Sequence, residues 1–160
     1  MRPAGILAVL LLVGSSGTAF GAPATAADAK AVAQCVEAAR KTEGFGGNCI
    51  GIVADPCIKA ASQRDTYVED AKACAERELA VWQGRLAQAA ASASRGGGNK
   101  ARGAIAAAQK SWASSLEALC PLFRELDPGA APGGDVYCRL QESARRTLLL
   151  ERLDAAVSEH

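Results

Sequence analysis

The chain has little of what catalysis and metal binding usually require. Its 160 residues include one histidine, His160 at the very end. No Ser-His or Cys-His arrangement can therefore be built around a central base. No C-x-x-C occurs among its six cysteines, which argues against a zinc site and against a thioredoxin-type redox pair. No stretch alternates apolar and polar residues with β-branched enrichment, so strands are not indicated. The apolar run Ile6 to Val13 has eight residues, far short of the roughly 20 that cross a hydrocarbon core.

That short run has another use. Arg2 precedes it, small residues follow, and Ala24-Thr25-Ala26 fits an A-x-A cleavage signal, the pattern of a secretory leader. The expectation is a signal peptide over residues 1–26 and a mature chain from Ala27, periplasmic or secreted. A lipid anchor would need a cysteine just after the cut, and the first is Cys35. Residues 1–26 carry one charge, Arg2, so 18 basic and 17 acidic residues become 17 and 17. A neutral chain has no general attraction for nucleic acid or for an anionic membrane. Arg95, Lys100, Arg102 and Lys110 form a local basic stretch with no acid among them. Trp112 is the one aromatic beside it, so it reads as a solvated face.

Cys35, Cys49, Cys57, Cys74, Cys120 and Cys138 all lie in the mature part. An even count in an exported chain reads as three disulfides, with 15 connectivities open to six cysteines. Sequence does not choose among them. Sequential pairing, Cys35–Cys49, Cys57–Cys74 and Cys120–Cys138, is the expectation because each bridge then closes a local loop. The last would close about 19 residues, worth roughly 3 kcal/mol in the chain-entropy account.

Helical periodicity accounts for most of the rest. Val32, Cys35, Val36 and Ala39 mark a first helix that the Gly44–Gly47 cluster stops. A short helix follows, with Asp55 as its cap and Pro56 in its first position. Thr66-x-x-Glu69 reads as a capping box before a long stripe of Ala71, Cys74, Ala75, Leu79, Trp82, Leu86 and Ala89. Trp82 is the expected core anchor. Ser94 to Asn99 reads as a plain loop; Ile105, Ala108, Trp112, Leu116 and Leu119 mark the next helix, ended or made irregular by Pro121. Tyr137, Leu140, Ala144 and Leu148 mark the last. The predicted fold is all-α: a small antiparallel helical bundle stapled by three disulfides. It forms one domain over 27–160, as a helical unit (27–93), a Gly-rich loop (94–103) and a helical hairpin (104–157).

Candidate chemistry is thin. Glu69-Asp70 and Glu76 with Glu78 are the notable acids, and they fall on what reads as a polar helix face, where such pairs are surface charges. No catalytic, cofactor-binding or metal-binding residues are proposed, and the expected protein is not an enzyme. Arg146 lies off the apolar stripe of the last helix; bonds from it to carbonyls of the 121–137 crossing are expected, with presentation to a partner protein as the alternative.

An ordered set of residues carries a resemblance. Gln109-x-x-Trp112, the step to Cys120, Gly133-Gly134, Cys138, then Ser143 and Arg146 resemble the C-terminal signature of the LprI-like lysozyme-inhibitor family. Upstream, Cys49-Ile50-Gly51, Pro56-Cys57 and Cys74 with Glu78 and Trp82 resemble an extension found in some members. Where the family carries an aromatic and an arginine after the tryptophan, this chain has Ser115 and Leu116. The resemblance implies an exported helical protein that inhibits lysozyme without catalysis and without a cofactor. Its partner would be a lysozyme or another envelope protein; an envelope module with no lysozyme inhibition is the alternative. Lysozymes are commonly basic, so an inhibitor gains from a negative surface.

Overall fold

The computed structural model describes residues 23–42 and 44–158. Most of the expected leader (residues 1–22) and His160 lie outside the described residues. Five α-helices and two 3₁₀ segments follow one another, with no strand among the described residues. They are α1 (Ala26–Lys41), α2 (Ala54–Ala61), α3 (Tyr67–Gly96), α4 (Gly98–Leu119) and α5 (Gly134–Ser158). The 3₁₀ segments are Gly47–Cys49 and Cys120–Glu125. Disulfides join Cys35 to Cys49, Cys57 to Cys74 and Cys120 to Cys138. The fold is all-α and stapled by disulfides.

Helix α3 is the spine. One face carries Ala71, Ala75, Leu79 and Trp82, all buried with Val32 and Val36 of α1, Ile58 of α2, and Leu140, Ala144 and Leu148 of α5. Trp82 is fully buried. Consecutive helices fold back on one another, but α3 and α5 run parallel. Gly133 at the start of α5 touches Ala71 and Ala75, Thr147 reaches the Trp82 carbonyl at 3.3 Å, and Gly96 meets Val157. Small buried residues, Ser143, Ala144 and Thr147, let the two helices approach. Gly133 sits at φ 79°, and an added Cβ would stand 3.2 Å from the Ala75 Cβ and 3.3 Å from the Ala71 carbonyl oxygen. A side chain there would be strained and crowded at once.

Glu78 departs most from the sequence expectation. It is fully buried, not on a polar face. Its carboxylate accepts from the backbone N–H of Gly51, Val53 and Ala54 and from Trp82 Nε1, each at 2.8 Å. The N–H groups at a helix start lack intrahelical partners. Here a carboxylate from a neighbouring helix satisfies them and faces the positive end of the α2 dipole. For that reason α2 needs no local cap. It begins at Ala54 after Val53, not after an Asp55 cap, and no side chain caps it. Asp55 instead accepts from Tyr137 Oη at 2.5 Å, tying α2 to α5.

The other end signals also differ. Thr66 makes no capping bond to α3; its hydroxyl donates to Asp70 at 2.8 Å, beside Arg64, so the Thr66–Glu69 capping box does not form. A capping box does form at Thr25 and Asp28, within the stretch read as a cleavage signal. The expected cut after Ala26 would remove that cap. Residues 94–103 are not a loop: α3 continues to Gly96 and α4 starts at Gly98, leaving Gly97 alone between them. Gly98 at φ 69° reverses the chain, and the alanine-rich flanks keep helical geometry up to the turn.

Glu151 on α5 bridges Arg40 of α1 and Arg85 of α3, at 2.7 Å to each. Asp28 is gripped by Arg77 across α1 and α3 at 2.7 and 3.1 Å. Burial opposes the Asp28 charge, but hydrogen bonds from Arg77 and Thr25 outweigh it and hold the carboxyl below its ordinary value of 3.8. A depressed folded pKa contributes stability above the unfolded value, and that stability is lost as pH falls through the folded one. Asp28→Asn is therefore expected to be less stable than wild type at neutral pH, with the gap closing below about pH 4 in acid-titrated thermal melts. For Glu78→Gln, which sets an amide donor against backbone donors, a loss of about 3 kcal/mol and a midpoint drop of roughly 10 °C are expected in calorimetry.

Candidate functional site

A groove of about 350 Å³ opens between α3, α4 and α5. Gln109, Trp112 and Leu116 line it from α4, with spacings of three and four residues that place them on one helical face. Arg139 and Ser143 line it from α5, and Gln83 and Leu86 from α3. Because α4 and α5 are antiparallel, the two polar pairs between them close opposite ends. Arg146 Nε donates to Gln109 Oε1 at 2.5 Å, and Arg139 donates to both Glu117 oxygens at 2.9 and 3.5 Å. Seven residues of α5 separate the two arginines, about 10 Å of helix. Arg139 holds the Glu117 carboxyl below its usual range, by its hydrogen bonds first and its charge second.

Trp112 is half-buried against a second apolar cluster of Leu86, Ala89, Ala93, Ile105 and Leu150. The two tryptophans contrast. Trp82 spends its indole N–H on Glu78, whereas that of Trp112 meets no acceptor among the described residues. A half-exposed indole with a free donor, flanked by an amide and an ion pair, suits recognition of another molecule.

Of the sequence-selected residues, Gln109, Trp112 and Ser143 line this groove, and Arg146 joins them through its bond to Gln109. Ser143 is buried, and its carbonyl accepts from the Thr147 hydroxyl. Gly133 and Gly134 lie elsewhere, at the tight entry to α5, with Cys120–Cys138 tying that entry to the end of α4. Arg146 does not reach carbonyls of the 121–137 crossing; seated deeper along α5, it meets Gln109 instead. Sequence reasoning missed Gln83, Glu117 and Arg139. Glu117 and Arg139 are 22 residues apart, and no local pattern links them. Glu78 did carry a signal, since it stands one helical turn before Trp82.

The acids singled out in the sequence do not converge on one site. Asp70 is bonded to Arg64 and Thr66, Glu76 faces Lys72 at 3.8 Å, and Glu78 is consumed by backbone donors. No group of three His, Cys, Asp or Glu among the described residues is placed to hold a metal ion.

The family model described as lysozyme inhibitor LprI matches residues 57–155, well over half of the chain. The chain belongs to the LprI lysozyme-inhibitor family. The match takes in the groove, α3, α4, most of α5 and two of the three disulfides. Comparison with curated proteins and with solved structures found no match. Disulfides together with membership of the LprI family indicate an extracytoplasmic protein. None of the described helices is long and apolar enough to cross a membrane.

Exposure of the groove can be read directly. Of two tryptophans, Trp112 should be the one accessible to acrylamide. In Trp112→Phe the quenchable component of the emission should disappear, leaving the protected signal of Trp82.

Proposed function

We propose that the chain is an exported, non-catalytic protein-binding module that inhibits lysozyme and so shields the cell wall. Membership of the LprI family carries this reading. The geometry supports it in a second way. Cys120–Cys138 and the Gln109–Arg146 and Glu117–Arg139 contacts hold α4, its 3₁₀ extension and α5 in one rigid hairpin. A preordered surface loses little conformational entropy on binding. Residues 1–26 serve as the leader, and in the mature chain from Ala27 the Arg77 guanidinium still holds Asp28 after the Thr25 cap is gone.

The test is cell-wall lysis by a lysozyme, titrated with the oxidised mature chain from Ala27. Saturable inhibition is expected, and it should vanish when the disulfides are reduced and alkylated. Undiminished lysis across several lysozyme types would reject the inhibitor role and favour an envelope module with another partner.

A further inference from the structure

One end of the bundle combines exposed apolar side chains with an excess of acid. The first turn of α3 meets the 3₁₀ segment Cys120–Glu125 and the loop after it around a depression of about 200 Å³. Val68, Phe123, Leu126 and Pro128 line it. Val68 is 52 % exposed, Leu126 49 % and Phe123 41 %, and neighbouring Leu122 is 61 % exposed. Clustered apolar side chains left in water at a rigid edge are the usual mark of a contact surface.

The charges around this patch name its occupant. Residues 64–76 and 120–135 contain seven acids (Asp65, Glu69, Asp70, Glu76, Glu125, Asp127, Asp135) and three bases (Arg64, Lys72, Arg124), a balance of −4. Each base already faces an acid of the same patch: Arg64 with Asp70, Lys72 with Glu76, Arg124 with Asp135. Asp65, Glu69, Glu125 and Asp127 remain, all exposed and none facing a basic side chain among the described residues. Asp127 keeps one oxygen on the Gly129 N–H, which shapes the loop. The far end of the bundle, around the α3–α4 turn, carries Arg95, Lys100 and Arg102 with no acid between them. A chain with almost no net charge is thus polarised along its length.

We infer that this acidic, apolar-centred end is a docking surface for a basic protein, on the inhibitor reading the lysozyme itself. The apolar residues supply the desolvated centre and the acids the rim that draws in a positive partner. A second copy of this chain would set four uncompensated acids against four more, which electrostatics opposes.

The test pairs Glu125→Lys/Leu126→Ser at this end with Lys100→Glu/Arg102→Glu at the other, in the oxidised chain. All four side chains are exposed, and circular dichroism and thermal melts check that both variants stay folded. Binding to a basic lysozyme is measured by calorimetry at two salt concentrations, beside the lysis assay. The first variant should bind at least tenfold more weakly and lose salt dependence, and the second should match wild type. Equal binding by the first variant would overturn the surface and leave the inhibitor reading standing. Lysozyme bound at this end but not inhibited would sink that reading and keep the surface, whereas no binding by wild type would end both. Self-association abolished by the first variant would assign the patch to a second copy and overturn the proposal.

Discussion

A single buried carboxylate organises the N-terminal half of this protein. Glu78 gathers three backbone N–H groups and an indole N–H at equal distances of 2.8 Å. Four donors fill the acceptor capacity of a carboxylate. The same contact fixes the Gly51–Ala54 turn, caps α2 and holds the Trp82 ring in the core. An acid in such a place is costly unless every lone pair is met, and here they are. The Cys57–Cys74 bridge, one turn away on α3, holds the two helices close enough for this contact to form.

The second constraint is the parallel packing of α3 and α5. Helix α4 returns the chain to the starting end, so the last helix can lie beside the spine in the same direction. Close approach depends on small residues, Gly133, Ala71, Ala75, Ser143 and Ala144, and on Thr147 directing its hydroxyl to backbone carbonyls. The groove is a by-product of this arrangement. Helix α4 packs less deeply than its neighbours, with Ile105 and Leu116 its only buried side chains. Gln109 and Trp112 are consequently left at the surface of a crevice, not inside the core. Recognition surfaces commonly arise in this way, on the element that the core needs least.

Much of the fold was legible because apolar spacing is local. The stripes through Val32–Ala39, Ala71–Ala89 and Leu140–Leu148 each become a buried face. Helix ends were read less well, because their partners are distant. Asp55 looked like a cap, but Glu78 from α3 satisfies those donors first. Thr66 looked like a cap, but Asp70 takes its hydroxyl. The Gly-rich stretch looked like a loop ten residues long, but one left-handed glycine suffices to reverse the chain.

In the candidate site, the ordered signature singled out Gln109, Trp112, Ser143 and Arg146, which converge on the groove, and Gly133 and Gly134, which do not. Composition and periodicity by themselves determined an all-α chain rich in cysteine, with two tryptophans on helical stripes. Those features depend on neighbours within a few residues, where spacing alone decides which side chains share a face. The tertiary structure alone decided that Glu78 is buried, that the Trp112 N–H meets no acceptor among the described residues, that Glu117 meets Arg139, and that acids from two distant segments crowd one end. Each of these joins residues far apart in the chain, and only packing of the helices brings such partners within reach.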